Sequence, residues 1–255
     1  MDRDREIRGV CVDSSDPYLS KLEPLLWSFI EIVEAFCRSE RAPPYWFNER
    51  ASVSLLSGAA WRTGWIAIEE YTTRKVMLER ANELDLSHRY GRCDLYAKEQ
   101  GGLTFAFEAK QVMSKSDRFA ADVTAALRSA RDDAAQLLHT EAAARIALVF
   151  AVPQFPVGAV ESRGGIDHMV TTLLHGVEDD ELSGPEPAIT NGLFRGNRRA
   201  THAYVFPPEM RDCKGPAEKA YWPGVIVIAQ RVKRSRTSEL RPKATLPSTI
   251  SRPGY

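Results

Sequence analysis

From Leu103 to Lys110 hydrophobic and polar positions alternate with a period of two. Leu103, Phe105, Phe107 and Ala109 face one way; Thr104, Ala106, Glu108 and Lys110 face the other. Arg92 to Ala97 alternates as well, with Cys93, Leu95 and Ala97 opposite Arg92, Asp94 and Tyr96. Between the two runs Glu99-Gln100-Gly101-Gly102 reads as a turn, because glycine supplies the positive φ that tight hairpins demand. The pattern predicts a hairpin of strands over 91–98 and 103–111. Upstream the period changes. Asn48 is a good N-cap, Glu49 suits the first turn of a helix, and Val53, Leu56, Ala59 and Ala60 form a small apolar stripe. This predicts a helix over 49–62, ended at Gly64, and a strand over 65–73.

Downstream, Ser116 or Asp117 is expected to cap a helix over 117–140, whose Phe119, Val123, Leu127, Ala130, Ala134 and Leu137 recur at three and four. Ile146 to Val152 is an unbroken apolar run, which predicts a central strand over 145–152 covered on both faces. An amphipathic helix is expected from Pro17 to Ser39, with Leu22, Leu25, Leu26, Phe29, Val33 and Phe36 on one side. Val10-Cys11-Val12 reads as a short strand, 166–177 as a helix, and 202–206 and 225–232 as strands extending the sheet. The expected organisation is an N-terminal extension over 1–46, an α/β domain over 47–232 and a basic tail over 233–255.

Composition narrows the function classes. A chain of 255 residues with 44% hydrophobic and 27% charged content suits one α/β domain with additions. A net charge of zero argues against general coating of nucleic acid, so any contact surface is local. Cys11, Cys37, Cys93 and Cys213 show no zinc spacing. No apolar run approaches the ~20 residues of a membrane span and no signal peptide is evident, so a cytoplasmic protein without a membrane partner is expected. P-loop, dinucleotide and nucleophile-elbow motifs are absent.

The hairpin carries the candidate chemistry. With the turn centred near Gly101, Asp94 and Glu108 fall nearly opposite each other, and cross-strand neighbours have Cβ atoms about 4.5–5.5 Å apart. Two bare carboxylates that close repel, so the arrangement makes sense mainly with a cation between them. A hard cation such as Mg²⁺, or Mn²⁺, takes one or two carboxylates plus waters and phosphate oxygens. Asp94 and Glu108 would supply the carboxylates, with the Ala109 carbonyl as a further ligand. Lys110 shares the face of Glu108 and would orient a water or neutralise developing phosphorane charge. The alternative is an exposed face whose ions form ordinary surface pairs. Two basic clusters are candidate nucleic-acid contacts: Arg195, Arg198 and Arg199, and Arg231, Lys233 and Arg234. The alternative there is a solvated surface or tail.

These residues and their order resemble the PD-(D/E)xK, or restriction-endonuclease-like, phosphodiesterase superfamily over about Phe47 to Pro153, somewhat under half the chain. The resemblance implies a restriction-endonuclease-like core: helix, three-stranded meander, helix and strand, in a mixed central β-sheet flanked by α-helices. It assigns Asp94 as the family's Asp and Glu108 and Lys110 as its Glu-x-Lys. Cys93 stands where the naming Pro would be, a position that varies in the superfamily. Glu49 matches by position a helix Glu that assists the metal site in many members; a simple capping charge is the other reading. Glu69 or Glu70 would be a substitute carboxylate or an edge charge, and Arg128 or Gln136 a polar contribution from the following helix or part of its solvated face. The implied activity is Mg²⁺-dependent hydrolysis of DNA, with RNA as a lesser candidate, in the manner of a restriction or defence endonuclease. Double-strand cutting would need two active sites, which makes a homodimer a reasonable expectation. The competing expectation is a catalytically inactive module of the same fold that binds nucleic acid or protein.

Overall fold

The computed structural model describes residues 7–76, 88–138, 140–175, 201–215 and 219–233. Among these, eight strands and five α-helices form a mixed α/β architecture with a central mixed sheet flanked by helices. In chain order the elements are β1 (Ile7–Cys11), α1 (Glu23–Glu40), α2 (Glu49–Arg62), β2 (Ile66–Val76), β3 (His88–Lys98), β4 (Thr104–Lys115), α3 (Phe119–Gln136), β5 (Ala144–Pro156), α4 (Val157–Ser162), α5 (Ile166–His175), β6 (Thr201–Phe206), β7 (Ala220–Tyr221) and β8 (Val225–Arg231). The sheet order is β1-β6-β8-β5-β4-β3-β2, with β7 attached to β5. Among the described strands only β4 and β5 pair in parallel; α3 makes the crossover between them that parallel strands require.

The expected order of elements from 49 to 152 is present, with shifted ends. Asn48 caps α2 by accepting the Ala51 N–H at 3.0 Å, and Gly64, at φ +80°, follows the helix. The turn after β3 closes through Gly102, at φ +92°. Neither Ser116 nor Asp117 caps α3. Its N-cap position is Arg118, which makes no side-chain capping bond, and Asp122 in the first turn instead accepts from Ser114 Oγ. The helix also stops earlier than the apolar period suggests, because the Leu137 backbone bridges to Lys75 and Arg145 donates to the carbonyls of Ala135 and Leu137.

Each face of β5 is buried against a different layer. Ile146, Leu148, Phe150 and Val152 join a core with α1 and α2, whereas Ala147, Val149 and Ala151 join one with α3 and α5. Phe29 of α1 meets Phe150 with ring centroids 5.8 Å apart; burying each such side chain is worth about 1.5–3 kcal/mol. Residues 7–40 are thus built into the sheet and its helical cover: β1 pairs with β6, and α1 packs its Leu25, Leu26, Phe29, Ile30 and Val33 inward.

One irregularity decides what reaches the site. β2 and β3 pair from Ile66↔Lys98 to Val76↔His88, but the Glu70–Asp94 position is missing from the ladder. Glu70 sits at φ +52°, in the left-handed region that non-glycine residues rarely adopt. The alternation reverses there. Trp65, Ala67, Leu95 and Ala97 belong to the core under α1 and α2, while Tyr71 and Cys93 pack with Ala106 and Leu137 on the α3 side.

Candidate active site

The site forms where two strands part. β3 and β4 pair from Lys98↔Thr104 to Leu95↔Phe107 and no further. β4 continues with β5 to Lys115↔Gln154, and β3 continues with β2 to His88. Asp94 and Glu108 are the next positions of the register at which the ladder stops, so they flank the mouth of a fork. Asp94 Oδ2 accepts the Ala109 N–H at 2.7 Å, satisfying a backbone donor that β3 has ceased to serve. A strand residue's N–H and C=O address the same neighbour, so the Ala109 carbonyl also faces the fork.

Three further elements supply side chains. Glu49, at the first position of α2, accepts the Gln111 N–H through Oε2 at 3.0 Å, which ties the helix start to β4 one residue beyond Lys110. Gln111 is in turn held by Ser52 Oγ and by the Tyr45 carbonyl, to which its side-chain amide donates. Asp133 of α3 pairs with Lys110, Oδ2 to Nζ 2.7 Å. Lys75 of β2 stands 2.8 Å from Glu108 Oε1, an ion-pair contact outside good hydrogen-bond geometry.

Electrostatics follow from this crowding. Glu108 is only 3% exposed. Burial lifts its carboxyl to about 7, against the pull of Lys75 and with the push of Asp94 and Asp133. Burial also raises Asp94, opposed by the Ala109 N–H, Lys110 and Lys75, and raises Glu49, opposed chiefly by Lys110. Burial alone would lower Lys110, but Asp133, Glu49 and Asp94 outweigh it and hold the ammonium above its ordinary value. Four carboxylates thus face two ammoniums in one partly desolvated fork. This crowding and burial raise the carboxyls of Glu49, Asp94 and Glu108.

Sequence reasoning missed Asp133 and Lys75. Asp133 lies three residues after Ala130 and four before Leu137, on the flank of the buried stripe of α3, and that spacing was the available signal. Lys75 had no signal, since only the reversal at Glu70 turns it toward Glu108. Glu69 accepts from Ser54, whereas Glu70 stands at the register position opposite Asp94, whose carboxyl its charge helps to raise, and pairs with Arg50 and Arg92. Arg231 lies 3.9 Å over the Tyr18 ring and pairs with buried Asp16 at 3.2 Å, with Lys233 3.9 Å from the same carboxylate. Arg231 is thus directed to this anchor, whereas the Lys233 side chain is 76% exposed. Arg195, Arg198, Arg199 and Arg234 lie outside the described residues.

Among the described residues no group of three or more His, Cys, Asp or Glu side chains converges on one metal position, and no helix is long and apolar enough to cross a membrane. No protein-family model, curated protein or solved structure matches the chain.

Proposed function

We propose that the chain is a Mg²⁺- or Mn²⁺-dependent nuclease with a restriction-endonuclease-like core, hydrolysing phosphodiester bonds of DNA in the cytoplasm. The observation that carries the reading is the gathering of Glu49, Asp94, Glu108 and Lys110 at one strand fork. The element order α2-β2-β3-β4-α3-β5 supports it. The donor chemistry fits the ion: two carboxylates and a backbone carbonyl are a usual protein share of a Mg²⁺ shell, the rest being water and phosphate oxygens. Asp94, Glu108 and the Ala109 carbonyl would hold it. When bound, such an ion polarises the phosphate and lowers the pKa of a water.

The chain's own groups do the rest. Asp133 fixes the Lys110 ammonium beside the fork, where it can donate to an attacking water or a phosphate oxygen. Glu49, bonded to Gln111 N–H, adds negative charge at the mouth and steadies β4 after Lys110. RNA is the second substrate class, and a homodimer is the form that double-strand cutting would use.

A second reading has one specific observation in its favour: Lys75 at Glu108 already supplies a cation, as a non-catalytic module of this fold would allow. Thermal unfolding with and without Mg²⁺ or Mn²⁺ separates the two. A ligand at 100 times its Kd adds about 2.7 kcal/mol. The nuclease reading expects a metal-dependent rise in Tm that Asp94→Asn removes; equal Tm values with metal and with EDTA would favour the inactive module.

A further inference from the structure

Resting on the metal-site reading above, we infer that Lys75 is a built-in occupant of the cation position, which a divalent ion must displace from Glu108 in order to bind. Three independent features of the fold deliver this side chain. The left-handed turn at Glu70 reverses the alternation of β2, which brings Lys75 to the Glu108 face rather than to that of Ala67. The Lys75 backbone is then pinned by its bridge to Leu137 at the end of α3. Across β3, Gly91 leaves a passage for the lysine stem: a Cβ there would lie 2.9 Å from Lys75 Cδ and 3.2 Å from Cγ. The ammonium emerges 2.8 Å from Glu108 Oε1, with the Lys75 side chain 15% exposed and that of Glu108 4% exposed.

An ordinary surface pair has none of this preparation. A lysine ammonium also lacks what a divalent ion offers, since it is a single charge with three hydrogen bonds and no open ligand positions. Its effect is to keep Glu108 compensated in the metal-free protein and to weaken metal affinity by the free energy of the pair that must be broken. Ion binding and the Lys75–Glu108 contact are mutually exclusive.

The test is Mn²⁺ binding to the full chain by titration calorimetry, without nucleic acid, for wild type, Glu108→Gln, Lys75→Met and Gly91→Ala. Loss of binding in Glu108→Gln establishes that the titrated ion sits at the fork. Lys75→Met should then bind Mn²⁺ more tightly by about tenfold or more, the scale of breaking one partly desolvated ion pair. Gly91→Ala keeps every charge but crowds the flexible lysine stem out of its passage, and it should tighten binding in the same direction. A general field effect of Lys75 would leave Gly91→Ala at the wild-type value.

Unchanged or weaker binding in either Lys75→Met or Gly91→Ala overturns the inference while leaving the metal site standing. Binding absent from wild type and gained in both Lys75→Met and Gly91→Ala supports it. No binding by any of the four proteins, or binding indifferent to Glu108→Gln, removes the metal-site reading and this inference with it. Circular dichroism of each variant guards against misfolding.

Discussion

Glu108 carries more chemical information than any other side chain here. It is a carboxylate at 3% exposure, lifted by burial from an ordinary 4.5 to about 7. A carboxyl whose folded value is raised binds more protons folded than unfolded, so its ionisation subtracts stability as pH rises from about 4.5 to about 7. In EDTA, wild type should therefore lose stability relative to Glu108→Gln over that window. Urea denaturation at about pH 5 and pH 8 measures the difference, and two proteins with parallel pH profiles would show that Glu108 stays solvated. Lys110 differs in kind. Its ammonium stays charged because Asp133, Glu49 and Asp94 surround it, so it serves as a fixed positive group over the pH range in which Glu108 changes.

At the scale of the element, β2 is the strand on which the site depends. A strand with uniform alternation would turn Lys75 away from Glu108; one left-handed residue, Glu70, prevents this. Glu70→Val should destabilise the fold by about 1–3 kcal/mol, because a β-branched residue is poorly tolerated at φ +52°. Glu70→Gly should stay within about 1 kcal/mol of wild type, as relieved strain offsets the lost Arg50 and Arg92 pairs. Chemical denaturation decides, and equal losses in the two variants would mean the backbone there is unstrained. This element also marks how far the sequence could be read. Strict alternation from Leu103 to Lys110 identified β4, and with the glycine turn it put Asp94 and Glu108 on one register. Nothing distinguishes Glu70 from Glu69 locally, so the reversal was invisible. The end of α3 was equally hidden, because a non-local bridge from Leu137 to Lys75 overrides a helical period that runs past it.

Across the whole molecule, the described residues before 47 pack on the same sheet and core as the elements after it. β1 completes one end of the sheet order, and α1 covers the core beneath β5 and β6. The amphipathic helix was legible from its leucines and Phe29, but its partners on β5 and β6, more than a hundred residues away, were not. Asp16 joins these distant parts. It accepts the N–H groups of Tyr18 and Leu19 and pairs with Arg231 of β8. Burial opposes its charge, yet those backbone groups and Arg231 prevail and hold the carboxyl below its ordinary 3.8. A depressed folded value contributes stability that is complete above about pH 4 and lost as pH falls through it. Asp16→Asn should cost about 1–3 kcal/mol at pH 7, with the gap closing in acid. A gap that persists unchanged at pH 2 would mean the anchor is not ionic.

The central claim concerns the fork between β3 and β4, and its most direct test is cleavage. Supercoiled, linear and single-stranded DNA, with RNA in parallel, would be incubated with wild type, Asp94→Asn and Lys110→Met in Mg²⁺, Mn²⁺ or EDTA. Metal-dependent cutting by wild type is expected. Lys110→Met should lower it about 10²–10³-fold, as for loss of one transition-state donor, and Asp94→Asn should abolish it. Absence of cutting on every substrate, or cutting that survives both substitutions, would contradict the account.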